Sequence, residues 1–212
     1  MSEPAPPTGR LEPEDQARAD FYALLARLFS GPPDRELLRA IASAQPLVPA
    51  GRATEDATAG DLAAAWDALR AASSTAATDA VRDEYQALFI GVGRSEVSPY
   101  ASHYLQRQSA RPLAEIRAAL ADLGLARRAS VSEFEDHIAV VFEAMRMLVA
   151  GDGDRAPAEI GEQRAFFERF LVTWAFDCCI AIDNSPVANY WRHVAQLTRC
   201  FVGVETAAFA MV

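Results

Sequence analysis

The stretch Glu14–Pro33, EDQARADFYALLARLFSGPP, decides the fold class. Ala17, Phe21, Leu24, Leu25, Leu28 and Phe29 recur at the spacing of one helical face. Gly31-Pro32-Pro33 then ends the helix, because two prolines in succession cannot continue it. Asp34 is placed to N-cap a second helix that turns Leu37, Leu38 and Ile41 inward. Further along, Asp61 opens a third helix carrying Leu62, Trp66 and Leu69, after a loop over Pro46–Gly60. Asp79 caps a fourth with Val81, Tyr85, Leu88 and Phe89.

The second half repeats the pattern. Pro112 suits the first turn of a helix with Leu113, Ile116, Leu120 and Leu123. Ser132 and Glu135 form a capping-box pattern ahead of Ile138, Val141, Phe142, Met145 and Leu148. Pro157 opens one long helix through about Ile182. After Asn184-Ser185-Pro186, a last helix carries Tyr190, Trp191, Val194, Leu197, Phe201 and Val204. About eight helices and almost no strand signal predict an all-α globular multi-helix bundle. Residues 1–12, polar and proline-rich, read as a disordered leader, and residues 13–212 as one helical domain, with a topological division near Pro112.

Composition narrows the function. The chain has 212 residues, 51% of them hydrophobic, with a mean hydropathy of +0.01, as expected of a globular protein. No apolar run approaches the ~20 residues of a membrane span, and the polar N-terminus lacks a secretory h-region, so the expected compartment is the cytoplasm, without stable membrane insertion. Cys178, Cys179 and Cys200 read as buried thiols there. A net charge of −9 offers no basic surface to displace counterions, which argues against nucleic acid. An acidic surface attracts a cationic peptide, but acidity on its own more simply keeps a cytoplasmic protein soluble.

No catalytic, cofactor or metal machinery is legible. His103, His137 and His193 share no ligand spacing, and Phe134 stands where a di-iron Glu-x-x-His would need its glutamate. Gly93-Arg94-Ser95 is not a nucleophile elbow. Gly91-Val92-Gly93 is too short for a phosphate loop and follows a helix. Three motifs keep two readings each. Asp136-His137 either caps a helix or lines a pocket, where the carboxylate accepts an arginine fork. Ser98-Pro99-Tyr100-x-Ser102 is either a packed turn or a ligand-contacting loop. Tyr85, Leu88 and Phe89 form either core or groove.

Taken in order, Phe21-Tyr22-x-Leu24-Leu25-x-x-Leu28-Phe29 with the following Pro-Pro, Tyr85-x-x-Leu88-Phe89-x-Gly91, Ser98-Pro99-Tyr100-x-Ser102, Glu133-x-Glu135-Asp136-His137-Ile138 and the terminal aromatic helix resemble the TorD/DmsD/NarJ group of redox-enzyme maturation chaperones, from about Ala17 to Glu205. The resemblance implies a TorD-like helical fold and a cytoplasmic, non-enzymatic chaperone. Its partner would be a molybdopterin oxidoreductase, bound as the apo form, through its twin-arginine signal peptide, or both. The implied role is to assist cofactor insertion and to proofread export. The implied peptide-binding residues are Tyr85, Leu88, Phe89, Pro99, Tyr100, Ser102, Asp136 and His137. Many relatives have proline where this chain has Glu135; the added carboxylate either suits a twin-arginine ligand or belongs to the cap. Monomer and helix-exchanged dimer both fit, with the junction near Arg111-Pro112 as the place of exchange. The alternative is a helical protein that binds a small molecule or nucleotide in the same pocket.

Overall fold

Helix α1 (Pro13–Ser30) begins behind Glu12 and stops at Gly31, as the apolar stripe and the two prolines require. The computed structural model describes residues 11–47, 57–91, 95–105, 111–124, 134–152 and 155–212. Most of the expected leader, the middle of the Pro46–Gly60 loop, the Gly93-Arg94 dipeptide, the segment leading to Arg111 and the Ser132 end of the expected capping box lie outside them.

Nine more helices follow among the described residues: α2 (Arg35–Ser43), α3 (Ala57–Thr75), α4 (Thr78–Tyr85), α5 (Ala101–Leu105), α6 (Pro112–Asp122), α7 (Ile138–Ala150), α8 (Ile160–Phe170), α9 (Val172–Asn184) and α10 (Tyr190–Ala210). Among the described residues, pairing between extended segments is limited to isolated bridges, Tyr100 with His137 and Asp152 with Arg155. The all-α expectation therefore holds. Asp34 caps α2 as its position predicts, accepting the Leu37 N–H at 2.8 Å. Helix α3 starts four residues before Asp61. Asp79 sits in the first turn of α4, and the N-cap is Ala77, which has no capping side chain.

The expected long helix from Pro157 is two helices broken at Leu171, whose φ and ψ are −115° and −62°. Neither glycine nor proline marks the break. The Trp174 indole N–H takes the Phe170 carbonyl at 2.7 Å, and a side chain inserted into the backbone ladder is a recognised cause of a kink.

Helix α1 packs along α7, while α10 lies across α3 and α9, and α2 rests on α3. The core between them is aromatic: Tyr22, Phe29, Phe142, Phe167, Trp174 and Trp191 are among its fully buried side chains. One polar network crosses it. Glu205 on α10 accepts the Arg18 guanidinium of α1 at 2.8 and 3.0 Å and the Tyr22 hydroxyl at 2.7 Å. Arg18 also donates to Gln163 of α8 at 3.1 Å, so three helices meet at one guanidinium. No described helix is long and apolar enough to cross a membrane.

The cysteines give a first testable consequence. Cys178 and Cys179 are fully buried, and burial pushes the Cys178 thiol up to about 12 and Cys179 well above its ordinary value. The folded state keeps these protons at pH values where the unfolded thiols release theirs. Their contribution to stability is therefore fully present below about pH 9 and is lost as pH rises toward 12. Denaturant midpoints measured across that range should fall steadily. A thiol reagent applied to native protein should reach no cysteine other than half-buried Cys200. Rapid labelling of three thiols without unfolding would contradict the burial.

Candidate functional site

The three groups of expected site residues fall into a buried frame and a partly exposed rim. Tyr85, Leu88 and Phe89 belong to the frame. The α4 helix runs into a π-helical turn, Gln86–Ile90, closed by the Gly91 N–H on the Gln86 carbonyl at 2.8 Å. One extra residue per turn rotates the face, so Leu88 and Phe89 are both buried while Ile90 is exposed. The Tyr85 and Phe89 rings contact each other and Trp191 with centroids 5.0–5.4 Å apart. The Tyr85 hydroxyl donates to the Phe29 carbonyl at 3.2 Å. These three side chains are core, and Ile90 is the exposed large side chain of this turn.

Glu84, one residue earlier, was not singled out by its sequence. Its carboxylate accepts the backbone N–H groups of Asn189, Tyr190 and Trp191 at 2.8, 3.0 and 2.8 Å. It caps α10 from across the fold and so sets Trp191 against the π turn. An acid at a helix N-terminus is favoured by the dipole and by the open N–H groups. No local pattern could reveal it, because donor and acceptor lie more than a hundred residues apart.

The other two motifs are joined backbone to backbone. Ile138 N–H donates to the Pro99 carbonyl at 2.8 Å, and Ala101 N–H to the Asp136 carbonyl at 2.9 Å. Asp136, 2% exposed, also accepts the Ser102 N–H on Oδ2 at 3.1 Å. The carboxylate therefore caps α5, in place of the first turn of its own helix. His137, 3% exposed, is the N-cap of α7 and accepts the Ala139 N–H on Nδ1 at 3.2 Å. That bond requires Nδ1 to be unprotonated, which agrees with the poor fit of a cation at a helix N-terminus.

Glu135 precedes this cap, so it is not the first-turn residue of a capping box. Arg117 of α6 grips it through Nε and Nη2, both at 2.9 Å, and the carboxylate carries its own counter-charge. Pro99 is buried and Tyr104 anchors the loop by donating to the Ser98 carbonyl at 2.8 Å while stacking on Trp174. Tyr100 and Ser102 remain half-exposed. Tyr100 lies edge-on between His137 at 5.0 Å and Phe134 at 6.5 Å. Phe134 is 54% exposed, a large aromatic at the surface that its sequence context does not mark out. The accessible chemistry is thus an aromatic rim, Tyr100 with Phe134, beside a serine and an arginine–glutamate pair. Among the described residues it holds no nucleophile with a base.

Comparison with known proteins agrees in extent. The family described as nitrate reductase delta subunit matches residues 55–180, more than half of the chain. The chain is 25% identical to a protein named Chaperone protein TorD from Shewanella loihica, across 92% of this chain and 94% of that one. It is also 25% identical to the Chaperone protein TorD of Shewanella pealeana, across 92% and 90%.

Proposed function

This chain belongs to the nitrate reductase delta subunit family, and from that premise we propose that it is a chaperone, not an enzyme, for a molybdopterin oxidoreductase. It works in the cytoplasm, binding the apo client or its twin-arginine signal peptide and so delaying export until the cofactor is in place. The observation that carries this reading is the likeness, along nearly the whole chain, to proteins named as chaperones. The physical chemistry of the site supports it. An exposed aromatic rim suits the apolar segment of a leader, and a chain of net charge −9 attracts its basic arm.

Within this reading the expected site residues divide the work. Tyr100 and Ser102, joined by Phe134, meet the peptide. Asp136 and His137 hold the two loops in register, and Tyr85, Leu88 and Phe89 with Pro99 form the floor that fixes them. A rim held by paired backbone bonds and two buried caps needs no ordering when it binds, which conserves affinity.

The test is affinity capture from the native host under conditions where its molybdoenzymes are expressed, with mass-spectrometric identification. The expected result is enrichment of one molybdopterin oxidoreductase that retains its leader. Absence of any such enzyme would remove the proposal's support. Deleting the leader from the captured client then separates recognition of the signal peptide, which predicts lost capture, from recognition of the mature region.

A further inference from the structure

A second site lies on the opposite chemistry, a cationic cleft in an acidic protein. The cleft holds about 620 Å³ between α2, the C-terminal end of α3 and the start of α4. That is within the range of small-molecule pockets. Arg35 and Arg39 line one wall and Arg82 another, while Leu38, Ala76 and Ala77 supply apolar surface. Arg35 and Arg39 stand one turn apart on α2, where like charges repel and weaken a helix. Every other described arginine has a partner: a carboxylate, a backbone carbonyl, or another interaction. These two have no hydrogen bond or ion pair among the described residues.

The carboxylates that reach the cleft are already engaged. Asp34 accepts the Leu37 N–H and faces Arg27 at 3.6 Å, and Asp79 accepts Arg82 at 2.7 Å. Ser73, at the buried end, is bonded to the Tyr190 hydroxyl at 3.0 Å. Two unpaired guanidinium forks on one wall are therefore left facing an open volume. The adjoining α4 N-terminus has no side-chain cap, so its first N–H groups add donors there.

We propose that this cleft binds a phosphate group, either the free ion or the phosphoryl end of a small metabolite. Guanidinium forks match phosphate oxygens two at a time. The apolar wall beside Leu38 accommodates the organic part of a phosphorylated molecule. This site is independent of the client-binding rim and of the chaperone reading.

Calorimetric titration of the full chain with inorganic phosphate, inorganic pyrophosphate and ribose 5-phosphate tests it. Saturable one-to-one binding is expected, weakened at least about tenfold in the Arg35→Ala/Arg39→Ala double variant. Both side chains are exposed, so the variant should melt at the wild-type temperature. Arg164→Ala/Arg169→Ala, which removes two arginines on the solvent side of α8, one half-buried and one exposed, should leave the affinity unchanged. Ribose 5-phosphate binding more tightly than inorganic phosphate would identify a phosphorylated metabolite as the ligand, and equal affinities the free ion. Binding that never saturates, or that is the same in both double variants, would overturn the proposal.

Discussion

Replacing Glu205 by alanine is expected to destabilise the fold by about 3 kcal/mol, the low end of the roughly 3–5 kcal/mol seen when one partner of a buried ion pair is removed. Glu205 is 1% exposed and accepts from both Arg18 and Tyr22. Its loss leaves a buried phenol hydroxyl without its acceptor and a guanidinium with only Asp15 and Gln163. The low end applies because Arg18 keeps some solvent contact and can relax outward. In a domain of this size that corresponds to a fall in Tm of about 6–12 °C. Arg18→Ala combined with Glu205→Ala should cost less than the sum of the two single changes, since the second no longer strands a charge. Denaturant midpoints for the four proteins measure this, and additive single effects would show that the network is not a unit.

Asp136→Ala is expected to lower affinity for the client's signal peptide at least about tenfold, whereas Asp136→Asn should stay within about twofold of wild type. The asymmetry follows from the carboxylate's place. Buried and bonded to the Ser102 N–H, it acts as an acceptor that sets α5 and the Tyr100 loop, and an asparagine oxygen can do the same. If the carboxylate instead met a peptide arginine directly, neutralising it would be as damaging as removing it. Asparagine and alanine variants of equal, low affinity would therefore show that Asp136 touches the ligand. His137 offers a parallel check: His137→Asn restores an N-cap to α7 and should rescue what His137→Ala loses. Fluorescence anisotropy with a labelled leader peptide reads all four variants, and far-ultraviolet dichroism confirms that they stay folded.

Much of the architecture was legible without coordinates because helix formation is local. The helix of the Ala17–Phe29 stripe, the Asp34 cap and the terminal aromatic face each declare themselves within a few turns, although Ala17, at the head of the expected stripe, is exposed. The Tyr-x-x-Leu-Phe and Asp-His motifs were visible too, but not what their side chains do. Periodicity over one turn cannot distinguish α from π winding, so it put Leu88 and Phe89 together on the apolar face, where both are buried, but did not show the π turn that carries them. The break at Leu171 was equally hidden, because an indole, and not a glycine or proline, makes it.

The amino-acid order by itself determined the helices, their approximate ends and a motif set sufficient to suggest the family. Only the tertiary structure decided which side chains those motifs present. Glu84 closes α10, Asp136 closes α5, Phe134 is left at the surface, and Arg35 and Arg39 face a cleft without counter-charges. A helix is stabilised by neighbours three and four residues away, which a sequence displays. A cap or a counter-charge is supplied by whichever group the packed fold brings near, and the chain order does not record that partner.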